Sequence, residues 1–149
     1  MRSITTAIAL LALSISSVFA QNDLTVHNAY ARATPPGVTT SAVFATLSNS
    51  SDEPVVIVSA QTARAGKVEL HTVETEGDIM KMRQVKNFSI PSKETLHLKP
   101  GADHIMLFNL DKPLVEGQIV NVEITLRNGP IVVFPAPVKK VMQGMKHHH

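Results

Sequence analysis

The chain has 149 residues, a formal net charge of +2 and no cysteine. A nearly neutral chain with scattered basic residues does not indicate a nucleic-acid or membrane-binding surface, and 4% aromatic residues leave few platforms for stacking bases. Without cysteine, disulfides, thiolate metal ligands and cysteine nucleophiles are excluded. Any soft-metal chemistry must come from the six methionines, and any nitrogen ligands from the seven histidines.

Residues 1–20 have the pattern of a secretory signal peptide. Arg2 is a short basic region, the apolar stretch after it is too short to span a bilayer, and Val18 and Ala20 place small residues before a cleavage point after Ala20. The alternative is an uncleaved anchor helix. We expect export and cleavage, with no membrane insertion of the mature chain. No cysteine sits at the cleavage point, so we expect no lipid anchor.

The remaining chain has the pattern of short β-strands separated by turn sequences such as PPG, EGD and NGP. In chain order the predicted strands are LTVHNAYARAT, TSAVFATLSN, VVIVSAQTA, KVELHTVE, IMKMRQV, TLHL, HIMLFNL, QIVNVEITLR and IVVFPAPV. This spacing, with no sustained helical period, predicts an all-β antiparallel sandwich. We expect one domain over residues 21–141 and a short tail over residues 142–149.

Histidine and methionine alternate with core-type residues in these strands. Val68, Leu70, Ile105 and Leu107 would supply the core face of their strands. His71, His104 and Met106 lie on the opposite faces of these two strands. Met80 and Met82 share one face of the predicted strand that lies between the two in the sequence. Any one of them alone would more often be a core methionine or a structural histidine. The alternation argues against that interpretation, because the core faces are already supplied.

Imidazole and thioether are ligands that suit copper(I). Both are neutral, so binding needs no thiol deprotonation, and neither forms a disulfide in an oxidising compartment. The pattern therefore favours a soft-metal site over a structural role.

The spacing of these residues resembles that of the periplasmic copper chaperones of the PCuAC type, whose signature is H-x10-M-x21-H-x-M. Ten residues separate His71 from Met82, 21 separate Met82 from His104, and one separates His104 from Met106. The similarity extends through AYARATPPG, VELHTVETEGDIMKMRQV and IPSKETLHLKPGADHIMLFNLDKPLVEGQ. One departure is Thr72, where many relatives carry methionine after the first histidine.

The resemblance implies a cupredoxin-like Greek-key β-sandwich located in the periplasm. It implies one Cu(I) site formed by His71, Met82, His104 and Met106, in a copper carrier that is not an enzyme. The implied acceptor is the CuA domain of cytochrome c oxidase subunit II, reached directly or through a second copper carrier. The alternative is a copper storage or scavenging protein with no dedicated oxidase client.

Pro100-Gly101 is a natural type II turn that would place His104 at the start of a strand, near one end of the sandwich. We expect an exposed Phe108 beside the site to offer a partner an apolar surface. His27 and His97 are expected to be structural or merely exposed.

The tail carries further metal-binding side chains. These are Met142, Met145, His147, His148 and His149. A flexible second site, for Cu(II), is one interpretation, and a truncated purification tag is the other.

Other functions fit less well. A blue-copper electron-transfer site needs a cysteine thiolate. A hydrolase would need a nucleophile elbow, an HExxH motif or a cysteine nucleophile, and we find none in the sequence. A structural adhesion or assembly domain, in which the histidines and methionines are incidental, would be separated from a copper carrier by metal titration.

Overall fold

The computed structural model describes residues 23–140, so the predicted signal peptide and tail lie outside the described residues. The strands are β1 Leu24–Arg32, β2 Ser41–Asn49, β3 Val55–Gln61, β4 Ala65–Glu76, β5 Ile79–Val85, β6 Phe88–Ile90, β7 Thr95–Leu98, β8 His104–Leu110, β9 Ile119–Leu126 and β10 Ile131–Lys139. Residues 23–140 contain no helix, and therefore none with the length and apolarity to cross a membrane.

The nine predicted strands are all present, and one more strand was missed. This strand, β6, is only three residues long, with Phe88 and Ile90 buried and Ser89 exposed. Three residues are too few for an alternating pattern to stand out from the surrounding loop. Its pairing with β3 extends one edge of the sheet.

Hydrogen-bonded neighbours follow the order β5-β4-β8-β2-β1-β10-β9-β3-β6, and β7 also pairs with β2. The pairs are antiparallel except for β1 and β10, which run parallel where Ala31 lies opposite Val138 and Arg32 opposite Lys139. The predicted antiparallel pairing therefore holds for every pair of the described strands except this one. The parallel pair joins the first strand of the domain to its last, where a long connection is available.

The core lies between the two halves of this strand order. Buried side chains come from both halves and form one cluster that includes Val43, Leu47, Ile57, Leu70, Ile90, Ile105, Leu107, Val120, Val122, Ile124, Phe134 and Val138. Burying both inner faces in one cluster is the packing of a β-sandwich. The predicted sandwich is thus confirmed, and Leu70, Ile105 and Leu107 point inward as expected.

The turn before β8 places the first residue of that strand. The amide of Ala102 donates to the carbonyl of Lys99 at 3.0 Å, and Gly101 has a φ of +81°. Proline and a positive-φ glycine in the two central positions make the predicted type II turn. As expected, β8 begins at His104.

Two neighbouring residues of β8 should differ sharply in their effect on stability. Leu107 is 0% exposed in the core, whereas Met106 is partly buried on the outer face. Leu107→Ala should lower the free energy of unfolding by about 2–5 kcal/mol, because it leaves a cavity, and Met106→Ala should lower it by less. Urea denaturation of both variants measures this. Equal losses would contradict the assignment of the two faces.

Candidate metal centre

Three adjacent strands, β5, β4 and β8, bring the four predicted ligands to one face of the sheet. His71 and His104 are direct cross-strand partners on β4 and β8. Met106 follows His104 by two residues, so it shares the same face. Met82 lies on β5 opposite Val73, which is two residues beyond His71 on that face. The four side chains are therefore neighbours across and along the strands.

The two histidine rings lie against each other, and both side chains are buried. Their centroids are 5.6 Å apart, with an angle of 53° between the planes. His71 is 8% exposed and His104 is 4% exposed. The two rings therefore pack together on one face of the sheet, shielded from solvent.

His71 leaves one ring nitrogen without a partner. Its Nε2 lies 2.7 Å from a carboxylate oxygen of Glu69, and this hydrogen bond is the main reason that the pKa of Glu69 is lowered. With Nε2–H donating to the carboxylate, Nδ1 carries the lone pair. That Nδ1 is buried and has no hydrogen-bond partner among the described residues. Metal-binding histidines are typically held by a carboxylate on the second nitrogen in this way.

His104 is held by the turn that precedes it. Its Nδ1–H donates to the carbonyl of Ala102 at 2.9 Å, which leaves Nε2 as the nitrogen with the free lone pair. Burial lowers the pKa of His104, and the hydrogen bond to Ala102 opposes this effect. The balance favours the neutral ring, which is the form that binds a metal. Nearby, the Thr72 hydroxyl donates to Asp103 at 2.6 Å and ties β4 to the same turn.

A cavity of about 490 Å³ opens beside His104 on this face. All three methionines of residues 23–140 line it, namely Met80, Met82 and Met106. Met80 and Met82 are 60% and 55% exposed, so the cavity opens to solvent along β5. His71 does not line the cavity, and its ring lies against that of His104. The thioethers are thus reachable from outside, whereas of the two imidazoles only that of His104 lines the cavity.

The expectation of an exposed Phe108 is wrong. Phe108 is half-buried, with its ring centroid 5.8 Å from that of His71. The ammonium of Lys67 lies 4.9 Å from the centroid of the Phe108 ring, so the lysine stem lies along the aromatic face. The exposed apolar surface beside the site belongs instead to β5.

Of the remaining predicted histidines, two lie within the described residues and three do not. His27 and His97 are both exposed, on either side of Thr46 in the sheet, away from the cavity. The five tail residues of the predicted second site lie outside the described residues. Sequence reasoning assigned no role to Glu69, which is hydrogen-bonded to His71, or to Arg32, which lines the cavity. Glu69 could have been found as the acidic residue two positions before His71 on the same strand face.

The donor set fits a soft monovalent ion better than a hard or borderline one. Residues 23–140 contain no group of three or more His, Cys, Asp or Glu side chains placed to hold a metal ion. Zinc and calcium sites are usually built from such groups. Two imidazoles with thioethers are instead the neutral, soft ligands that favour Cu(I).

The fold is that of the cupredoxin-like β-sandwich domains described as PCuAC domains. The "Copper-bound PCuAC domain from PmoF2" matches with a TM-score of 0.68 at 18% identity, over 80% of this chain and 94% of that one. The solution structure of apo-DR1885 from Deinococcus radiodurans is 33% identical with a TM-score of 0.65, over 96% and 97% of the two chains. The CuI-DR1885 structure is 34% identical with a TM-score of 0.66, over 85% and 86%.

By sequence, the chain belongs to the family described as "Putative lipoprotein LpqE-like", which it matches over residues 24–138. It is also 34% identical over 115 residues to the "Putative lipoprotein Lxx21020" of Leifsonia xyli subsp. xyli (strain CTCB07), covering 76% of this chain and 68% of the relative. The family match spans every strand but the last residue of β10.

The lowered pKa of His104 predicts how the metal-free protein responds to acid. An unfolded histidine takes up a proton below about pH 6.5, whereas folded His104 resists protonation. The contribution of neutral His104 to the free energy of unfolding is therefore complete above that pH and is lost as the pH falls below it. Denaturant unfolding between pH 8 and pH 5 should show this loss, and His104→Gln should show a smaller one. Identical pH dependence in both proteins would contradict the assignment.

Proposed function

We propose that this protein is a copper carrier that binds Cu(I) through His71, Met82, His104 and Met106 and passes it to a thiolate acceptor. The observation that carries the proposal is the buried Nδ1 of His71, which has no hydrogen-bond partner among the described residues. The His71 ring lies against that of His104, which lines a cavity together with three methionines. A buried polar nitrogen without a partner is costly, and a bound metal ion would remove that cost.

The four ligands have distinct roles in this proposal. His71 is fixed by Glu69 and His104 by the Ala102 carbonyl, so both imidazoles are preorganised. Met82 and Met106 supply sulfur from the cavity side, where an incoming or leaving ligand can approach. Two imidazoles held by hydrogen bonds and two thioethers that can be reached from the cavity suit an ion that is held and then released.

The relatives support copper as the cargo. One fold neighbour is described as a copper-bound domain, and DR1885, at 34% identity, has a structure described as its Cu(I) form. We propose a carrier and not an enzyme, as the resemblance to copper chaperones implies. The family description and the predicted signal peptide support a location outside the cytoplasm, which we propose is the periplasm.

The ligand set also bears on the choice between a carrier and a storage protein. Two imidazoles and two thioethers hold Cu(I) less strongly than paired thiolates, because thiolates are charged and softer donors. Transfer to a dicysteine site is therefore downhill. We propose the CuA domain of cytochrome c oxidase subunit II as the acceptor, directly or through a second copper carrier. Storage or scavenging in the same compartment is the alternative.

Removing two ligands should abolish tight Cu(I) binding without unfolding the protein. We expect His104→Ala/Met106→Ala to weaken Cu(I) binding by more than about 100-fold, because one nitrogen and one sulfur are lost together. Anaerobic competition against a chromophoric Cu(I) chelator gives the affinity, and circular dichroism checks the fold. A double variant that binds as tightly as the parent would show that the ligands are elsewhere.

A matched control removes two histidines outside the site. His27→Ala/His97→Ala deletes two exposed imidazoles and should leave Cu(I) affinity unchanged.

A separate titration with Cu(II) tests the tail, which we propose binds Cu(II) through its histidines. Truncation after Val141 should remove one Cu(II) equivalent and leave the Cu(I) site intact.

Copper should move from this protein to a thiolate site at equilibrium. Cu(I)-loaded protein is mixed anaerobically with one equivalent of the reduced, metal-free CuA domain, and copper is measured in each protein after separation. We expect most of the copper on the acceptor, because the thiolates bind it more strongly. Copper that stays on this protein would exclude the donor role and favour storage or scavenging.

A further inference from the structure

Arg32 lies at the end of β1 and lines the same cavity as His104 and Met106. Its Nε is buried and has no hydrogen-bond partner among the described residues. None of the ion pairs found within residues 23–140 involves its guanidinium. A buried guanidinium N–H without an acceptor is costly, so a ligand that accepts from it would be stabilised here.

The surroundings of Arg32 are aromatic and positively charged. Its guanidinium carbon lies 5.5 Å from the centroid of the Phe44 ring, and that ring lies 6.2 Å from the ring of His104. Beside them, the ammonium of Lys139 lies 5.6 Å from the centroid of Tyr30. Two cations therefore lie over adjacent aromatic rings, and one of these rings, Phe44, lies beside the proposed ligand His104.

The acidic groups near the site are bonded to other partners. Glu69 is bonded to His71 and Lys67, and Asp103 accepts from Thr72. Neither carboxylate lines the cavity, and no other Asp or Glu of residues 23–140 does. Bound Cu(I) would add a further positive charge to a wall that already carries Arg32. Asp103 still acts electrostatically on His104, but the charged side chain in the cavity lining is that of Arg32, with no carboxylate of the described residues beside it in that lining.

We propose that the cavity binds an anionic ligand between Arg32 and the metal ligands, and that this ligand is the thiolate of the copper acceptor. The inference rests on the proposed function. In the exchange, the acceptor thiol has already lost its proton to solvent. Its sulfur donates an electron pair to Cu(I) as a thioether or imidazole leaves, and copper remains Cu(I) throughout. Arg32 pairs with the negative charge during the approach and so acts as a specificity-determining residue.

The kinetic test compares acceptors that differ in charge. Cu(I) is withdrawn from wild type and Arg32→Gln by dithiothreitol, by the reduced CuA domain, and by neocuproine, a neutral nitrogen chelator. We expect Arg32→Gln to slow withdrawal by both thiols by about tenfold and to leave the neocuproine rate unchanged. Arg32→Lys should recover part of the rate. Lys81→Gln removes an exposed cation that does not line the cavity and serves as the matched control.

Each other outcome overturns the proposal. Equal slowing by all three acceptors would mean that Arg32 only supports the fold. Slowing by the CuA domain alone would mean a protein contact rather than recognition of the thiolate. An unchanged rate with either thiol, or an equal effect of Lys81→Gln, would leave Arg32 no special role.

A second measurement does not depend on copper. The metal-free protein is titrated with thiocyanate while the Arg32 Nε–H resonance is followed by ¹⁵N NMR. A saturable shift is expected, and a shift that only follows ionic strength would overturn the anion site. If wild type fails to bind Cu(I), the proposed function fails, and this titration still decides whether Arg32 binds an anion.

Discussion

The pairing of β4 with β8 is the constraint on which the site depends. It places His71 directly opposite His104, so that two residues 33 positions apart in the chain become neighbours. The same register places Leu70 opposite Ile105 on the core face. A slip of one residue would exchange the two faces, burying the imidazoles in the core and exposing the aliphatic side chains. The hydrophobic core therefore fixes the geometry of the proposed metal ligands.

Around this pair the electrostatics are asymmetric. On the β4 side, Glu69 receives hydrogen bonds from His71 and Lys67, and Asp103 is held by Thr72. On the β1 side, Arg32 and Lys139 lie over aromatic rings with no carboxylate partner among the described residues. In the proposed function, the first side orients a ligand imidazole and the second favours the approach of an anion. This division would suit the proposed transfer of copper to a charged acceptor.

Much of this arrangement could be predicted from the sequence, since alternation in VELH and HIMLF separates core residues from outward-facing ones with a period of two. The turn at Pro100-Gly101 and the start of β8 at His104 were predictable for the same local reasons. Which strands are neighbours was not predictable in this way, because pairing between distant segments leaves no local signal. The parallel β1–β10 pair and the half-buried Phe108 both depend on such long-range contacts. Arg32 was missed for that reason too, since only the fold brings it to the cavity.

X-ray absorption at the copper edge is the sharpest test of the proposed Cu(I) site, because it counts the donor atoms around the ion. The sample is the full exported chain, loaded with one equivalent of Cu(I) under anaerobic conditions. We expect two nitrogen and two sulfur neighbours, with one sulfur and one nitrogen lost in His104→Ala/Met106→Ala. A copper environment without sulfur, or one that is unchanged in the double variant, would contradict a site formed by His71, Met82, His104 and Met106.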